Sequence, residues 1–236
     1  MSYNRFFKDN SGSSDAESGS VSKSGEFAIS ADTEKDTEKK ALYDIYLLDF
    51  DGTISTDHTH NGIYKQIIAG TFSKQDDDAI FSYIQNNPQY HPIGGSQNWK
   101  MIIEAIVKNN RYVAIVSFNS YPEMIASYLR HIIGLSPETM SKIYINSWLP
   151  EKPESASKLE HIAQVIQYFQ YQGDAKKILL VDDSSRNIDQ ASQAGYDVIY
   201  ANQYGGHVAQ LKLDLQVTET DDLQTGMDTL SIKCSG

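Results

Sequence analysis

The sequence predicts an α/β fold built on an open parallel sheet flanked by helices, and three observations point there. From Tyr43 onward, short apolar runs alternate with stretches of helical period, the pattern of strands covered by helices. Acids and hydroxyl residues stand directly behind three of those runs, where an open α/β sheet binds its ligands. The length of 236 residues suits one such domain with a full core, plus an appendage.

Residues 1–40 come first. Segments such as SGSSDAESGS and ADTEKDTEKK offer too little apolar surface to offset the entropy of ordering, so a disordered tail is expected. A domain over residues 41–205 follows, with strands expected at Ile45 to Phe50, Tyr112 to Ser117, Lys142 to Ser147, Lys177 to Val181 and Asp197 to Tyr200. Helical patterns lie at Trp99 to Lys108, Pro122 to Ile133, Ala156 to Tyr171 and Asn187 to Ala194, with Pro122 suited to a first turn. An insert over about residues 54–98 has room for a short flap and two helices, Asn61 to Ala69 and Asp76 to Gln85. His207 to Leu215 fits a helix or a strand, and residues 206–236 receive no assignment.

Charge and cysteine content exclude several functions. Asp and Glu outnumber Lys and Arg 31 to 20, giving a formal net charge of −11, so no nucleic-acid partner is expected: phosphate backbones require a concentrated positive field. Cys234 is the single cysteine, which rules out an intramolecular disulfide. Ser235 and Gly236 follow it, so a cysteine-based phosphatase, which sets an arginine shortly behind its thiolate, is not the expectation. No run approaches the roughly 18 apolar residues of a transmembrane segment, and MSYNRFFKDN lacks the apolar stretch of a signal peptide. A cytoplasmic location is the expectation.

The residues behind the strands carry the chemistry. Asp49 and Asp51 stand two apart where the first apolar run gives way to Gly52, a spacing that turns both carboxylates to one side of an extended chain. Charges so placed repel, and a divalent cation relieves the repulsion. Asp51-Gly52 alone would suit a tight bend, whereas Asp-x-Asp-Gly-Thr behind a buried strand points to catalysis. The second run, Val113 to Val116, ends in Ser117 with Asn119 just beyond. Another, Ile178 to Val181, ends in Asp182-Asp183, a pair equally suited to the N-terminus of the helix that follows.

Asp49-Phe50-Asp51-Gly52-Thr53 resembles the first motif of the haloacid dehalogenase superfamily, and the likeness extends over about residues 43–201 through the runs ending in Ser117 and Asp182. The resemblance implies a Rossmann-like open parallel sheet with a small or minimal cap insert, and a Mg²⁺-dependent phosphatase. In it Asp49 is the nucleophile and Asp51 the general acid and base. The family's dehalogenases match only the first aspartate; this sequence has both. By the same resemblance Ser117 holds a phosphoryl oxygen, and Gly52, Thr53 and Asn119 contact the phosphate. Lys158, better spaced from Asp182 than Lys152 is, supplies the cation. The implied Mg²⁺ ligands are Asp49, the backbone carbonyl of Asp51, Asp182 and, directly or through water, Asp183, all hard oxygen donors.

Ser157-Lys158 and the stretch Val181 to Ile188 resemble, more narrowly, the members of this superfamily with little or no cap that accept phosphotyrosine. A phosphorylated protein, phosphotyrosine first, is therefore the expected substrate. A small phosphomonoester such as a sugar phosphate and a non-catalytic phosphoprotein-binding module are the alternatives. Asp57-His58-Thr59-His60 reads as a polar flap loop, since no further His or Cys at ligand spacing accompanies it. Tyr64, Phe72, Phe81, Tyr83 and Trp99 suit either the entrance, stacking on a phosphoaryl ring, or the core. A compact phosphatase joined to a low-complexity tail is similar to bacterial effectors of this superfamily, which adds secretion into a host cell as a second destination.

Overall fold

A computed structural model describes residues 43–150 and 157–217. The tail expected at 1–40, Lys152 and the chain beyond residue 217 lie outside the described residues. Strands run at Ile45–Leu48 (β1), Tyr112–Ser117 (β2), Ile143–Ser147 (β3), Ile178–Asp182 (β4) and Asp197–Tyr200 (β5). They pair in parallel throughout, in the order β3-β2-β1-β4-β5. Helices are Thr59–Ile68 (α1), Asp77–Gln85 (α2), Ser96–Lys108 (α3), Pro122–Tyr128 (α4), Pro137–Met140 (α5), Lys158–Tyr168 (α6), Ser185–Gln193 (α7) and Gly206–Asp214 (α8). The expected class, an open parallel sheet flanked by helices, is the observed one.

The strands are apolar at successive positions because both faces of the sheet are covered. Tyr46 and Leu48 face one core with Val113, Ile115, Leu179 and Val181, roofed by Trp99, Ile102, Ile103 and Ile106 of α3. Ile45 and Leu47 face the other with Ala114, Val116, Ile178 and Leu180, covered by Ile162 and Val165 of α6 and Ala191 of α7. The insert belongs to the first core: Ile63 of α1 and Ile80 and Ile84 of α2 pack there, so it adds no separate hydrophobic unit of its own.

Element ends differ from expectation where turns take over the backbone hydrogen bonds. β1 stops at Leu48 rather than Phe50, because the Phe50 carbonyl accepts from Ile54 and Ser55 and reverses the chain. β3 omits Lys142, whose N–H donates to Thr139. The helix expected over Pro122 to Ile133 is α4 followed by a π-helical turn, Leu129–Ile133, ended by Gly134 at φ 80°. α6 starts at Lys158 because Ser157 caps it, its Oγ accepting from Leu159 N–H at 3.2 Å. The segment open to either reading, His207 to Leu215, is helical as far as Asp214; Val208 and Leu211 enter the first core, and His207 Nε2 lies 3.0 Å from the Thr53 carbonyl.

Candidate active site

The carboxyl ends of β1, β2 and β4 meet beneath a cavity of about 300 Å³, walled by Asp49, Asp51, Ser117, Phe118, Lys158 and Asp183 among others. Asp49 sits at its base, 6% exposed. The first residue of α6, Lys158, is 2% exposed and reaches it from below: Nζ lies 2.6 Å from Asp49 Oδ1, 2.5 Å from the Val116 carbonyl and 3.7 Å from Asp182 Oδ2. Burial pushes the Asp49 carboxyl well above the usual carboxylate range; Lys158 pulls against that shift and Asp182 adds to it.

Asp49, Asp182 and Asp183 offer oxygens that all lie within 4.8 Å of one another. Asp182 is fully buried, and Asn187 Nδ2 donates to both its oxygens at 2.9 and 3.1 Å while the Ser184 N–H donates to Oδ1 at 2.8 Å. Asp183 is also raised, first by burial and next by Asp182. Among the described residues one buried lysine, paired with Asp49 and Asp182, stands beside these three clustered acids, so the donor set is hard and oxygen-only with more negative than positive charge, which fits a divalent ion such as Mg²⁺. Gly52 makes room for this arrangement: it has φ +80°, and a Cβ there would stand 2.2 Å from Asp183 Oδ2.

Ser117, 1% exposed, lines the cavity, and its Oγ is a buried hydroxyl with no partner. That is the atom expected to hold a phosphoryl oxygen. Its ordinary partners are elsewhere on the residue: the Ser117 carbonyl accepts from Trp148 N–H and lies 3.2 Å from His161 Nε2. Asp51 is placed by different means. Thr59 donates to Asp51 Oδ1 from its N–H at 2.9 Å and its Oγ1 at 2.6 Å, and Asn119 Nδ2 donates to Asp51 Oδ2 at 3.0 Å.

Of the three expected phosphate contacts, two have their donors engaged elsewhere and the third lies off the cavity wall. Both hydrogens of the Asn119 amide are used, one on Asp51 and one on Thr59 Oγ1 at 2.9 Å, so the side chain positions Asp51 instead. The Gly52 N–H donates to the Ser55 carbonyl at 2.9 Å. Thr53 is fully buried and away from the cavity wall, where its carbonyl meets His207.

Some of the wall was not anticipated. His58, His60, Asn61 and Arg186 form part of it, so the run read as a flap loop begins α1 at the rim. The signal available was Thr59-His60 at the head of a helical pattern. Asn187 stood inside a stretch already singled out, one turn into the helix after the acids. Of the five aromatics considered for the entrance, none lines the cavity; Trp99 is fully buried and donates to the Ile93 carbonyl at 2.8 Å. Phe118 does line it, with Lys158 Nζ 4.8 Å from its ring centre and His161 edge-on at 4.8 Å. His161 also stacks on Trp148 at 4.5 Å, and burial together with Lys158 brings its imidazole down to about 3.

No family model and no curated protein matches the sequence. Solved structures do. CbbY from Rhodobacter sphaeroides in complex with xylulose-(1,5)bisphosphate is similar over 68% of this chain and 87% of its own, at 11% identity and a TM-score of 0.51. The Legionella pneumophila effector Ceg4 is similar over 75% of this chain and 95% of its own, at 16% identity and a TM-score of 0.51. At such identities the likeness carries the fold alone, the open parallel α/β sheet flanked by helices already described.

Proposed function

We propose that this chain is a Mg²⁺-dependent phosphomonoester hydrolase that works through an aspartyl-phosphate on Asp49, with phosphotyrosine in proteins as its favoured substrate. One observation carries the reading: the buried Asp49 carboxylate has its cation, Lys158, at 2.6 Å, acids for a metal within 4.8 Å, and the unpartnered Ser117 hydroxyl in the same cavity wall. Every role the chemistry needs has an occupant, which a degenerate binding module would not be expected to keep.

Asp49 attacks phosphorus in line, the bond to the leaving oxygen breaks, and that oxygen takes a proton from Asp51. Water then attacks the phosphorus of the aspartyl-phosphate, yields a proton to Asp51 and releases Asp49. Lys158 offsets negative charge between Asp49 and the incoming phosphate, and Ser117 donates to a phosphoryl oxygen as charge spreads over the group. Mg²⁺ held by Asp49, Asp182, Asp183 and the Asp51 carbonyl would neutralise phosphoryl charge.

The cavity wall supports the choice of substrate. His60 and Phe118 make part of the wall around the reacting groups aromatic, which is compatible with an aryl phosphate. Sharing a fold with an effector is compatible with a host phosphoprotein as target and with export from the producing cell. A second reading, a sugar phosphate, draws on the xylulose-(1,5)bisphosphate complex of CbbY and on Arg186 in the wall. Turnover of p-nitrophenyl phosphate should require Mg²⁺ and vanish in Asp49→Asn; activity surviving both the substitution and chelation removes the assignment. Among phosphotyrosine, phosphoserine and phosphothreonine peptides and sugar phosphates, kcat/KM should be highest for phosphotyrosine. A sugar phosphate preferred by about two orders of magnitude or more, in a range that pocket contacts can supply, would select the second reading.

A further inference from the structure

We infer that Thr59 and Asn119 aim the Asp51 carboxyl at the leaving oxygen, acting as positioning residues for proton transfer; the inference rests on the phosphatase reading above. The three side chains close a ring of hydrogen bonds. Thr59 Oγ1 donates to Asp51 Oδ1 at 2.6 Å, Asn119 Nδ2 donates to Thr59 Oγ1 at 2.9 Å, and the same Nδ2 donates to Asp51 Oδ2 at 3.0 Å. The Thr59 N–H adds a second donor to Oδ1 at 2.9 Å. All three residues are buried.

The orientation of the Asn119 amide is itself fixed. Its Oδ1 accepts from Tyr121 N–H at 3.0 Å, which leaves Nδ2 turned to Asp51, and its carbonyl accepts from Ser147 Oγ at 2.5 Å. The terminal torsion of an aspartate is soft, so a carboxyl held at one oxygen still pivots. Donors on both oxygens remove that freedom. The ring also joins three separate pieces of chain: the loop after β1, the first residue of α1 and the loop after β2. Docking of α1 through Ile63 into the first core therefore sets where the carboxyl points.

The consequence is specific to one half of the reaction. As the Asp49 oxygen bonds phosphorus, the electron pair of the breaking P–O bond goes to the leaving oxygen, which accepts the Asp51 proton only within hydrogen-bond reach. A phenolate carrying strong electron-withdrawing groups leaves without that proton. An alkoxide or an unsubstituted phenolate needs it. A carboxyl that has lost its aim is felt in proportion to the basicity of the leaving oxygen.

Thr59→Val removes the hydroxyl at nearly constant volume, and Thr59→Ser keeps it. We would measure kcat/KM, which covers the steps through departure of the leaving group, for a series of aryl phosphates graded in electron withdrawal and for phenethyl phosphate. Thr59→Val should lose on the order of 10²-fold on the most basic leaving groups, the size of a misplaced proton donor, and less than about threefold on p-nitrophenyl phosphate. Thr59→Ser should restore the wild-type slope. Equal losses across the series, or a serine variant as impaired as the valine one, would overturn the inference. Should Thr59→Val fail to fold, Asn119→Ala read over the same series decides by the same criterion. If the wild-type protein with Mg²⁺ hydrolyses no member of the series, the phosphatase reading has failed and this inference goes with it.

Discussion

Asp49 and Asp51 are two residues apart in one motif, yet the regions that hold them work by opposite means. Around Asp49 the surroundings are ionic: Lys158 at 2.6 Å, and Asp182 and Asp183 within 4.8 Å. Around Asp51 they are neutral donors, a threonine hydroxyl, a backbone N–H and an asparagine amide. The floor of the cavity is a problem of charge balance in a desolvated place, where one ion more or less changes what the carboxylates can do. The rim is a problem of aim. Damage to the floor should be indifferent to the leaving group, and damage to the rim should not be.

Lys158→Met is the hardest test of that contrast. It removes the one buried cation among the described residues while keeping an unbranched chain beside Phe118, and leaves Asp49 and Asp182 without that counter-charge. A loss of about 10²- to 10³-fold in kcat/KM is expected, the scale of a lost electrostatic contact in a dry site. The loss should be the same for p-nitrophenyl and phenethyl phosphates. A loss graded by leaving group would erase the distinction between floor and rim.

Asn187→Ala sharpens the floor. Asn187 touches both oxygens of Asp182 and orients it toward the other acids. Its removal should raise the Mg²⁺ concentration for half-maximal activity by about 10-fold or more, as loss of a hydrogen bond to a ligand does, with a smaller change at saturating Mg²⁺. An unchanged Mg²⁺ dependence would mean Asp182 needs no such support.

The smallest effect is on stability, and it lies behind the floor. His161 is fully buried, and burial and Lys158 lower its imidazole from 6.5 to about 3. With the folded value depressed, the unfolded chain binds the extra proton first as pH falls. The stabilisation from keeping His161 neutral is whole above about pH 6.5 and is lost progressively toward pH 3. Urea midpoints of the wild type and of His161→Phe should therefore converge between pH 7 and pH 4, the variant being the less pH-dependent. Parallel curves would show that another group carries the acid sensitivity.

The sequence made the floor legible and the rim obscure, for a physical reason. Asp49 and Asp182 end apolar runs, and a buried parallel strand writes itself as such a run, so its last residue can be found without coordinates. Lys158 was reachable through its spacing to Asp182 and its place behind Ser157, which caps α6. Thr59 meets Asp51 because α1 folds back over the sheet, and Asn119 meets it because the loops after the paired strands β1 and β2 converge, contacts that no local period records. Asn119 and Gly52 stand where the motif pattern suggests phosphate donors, yet the Asn119 amide serves Asp51 and Thr59 and the Gly52 N–H serves the Ser55 carbonyl. The segment that became α8 was ambiguous because its helical face is short and only the docking of Val208 and Leu211 against the core resolves it.

The account stands on phosphorus bonding to one particular oxygen. Wild-type protein mixed with Mg²⁺ and a radiolabelled phosphotyrosine peptide, quenched in acid during turnover and treated with borohydride, should yield a peptide in which residue 49 is reduced to homoserine. The same peptide from Asp49→Asn should be unmodified. Reduction at Asp51 or Asp182 instead, or release of phosphate at full rate with no residue ever reduced, would contradict it.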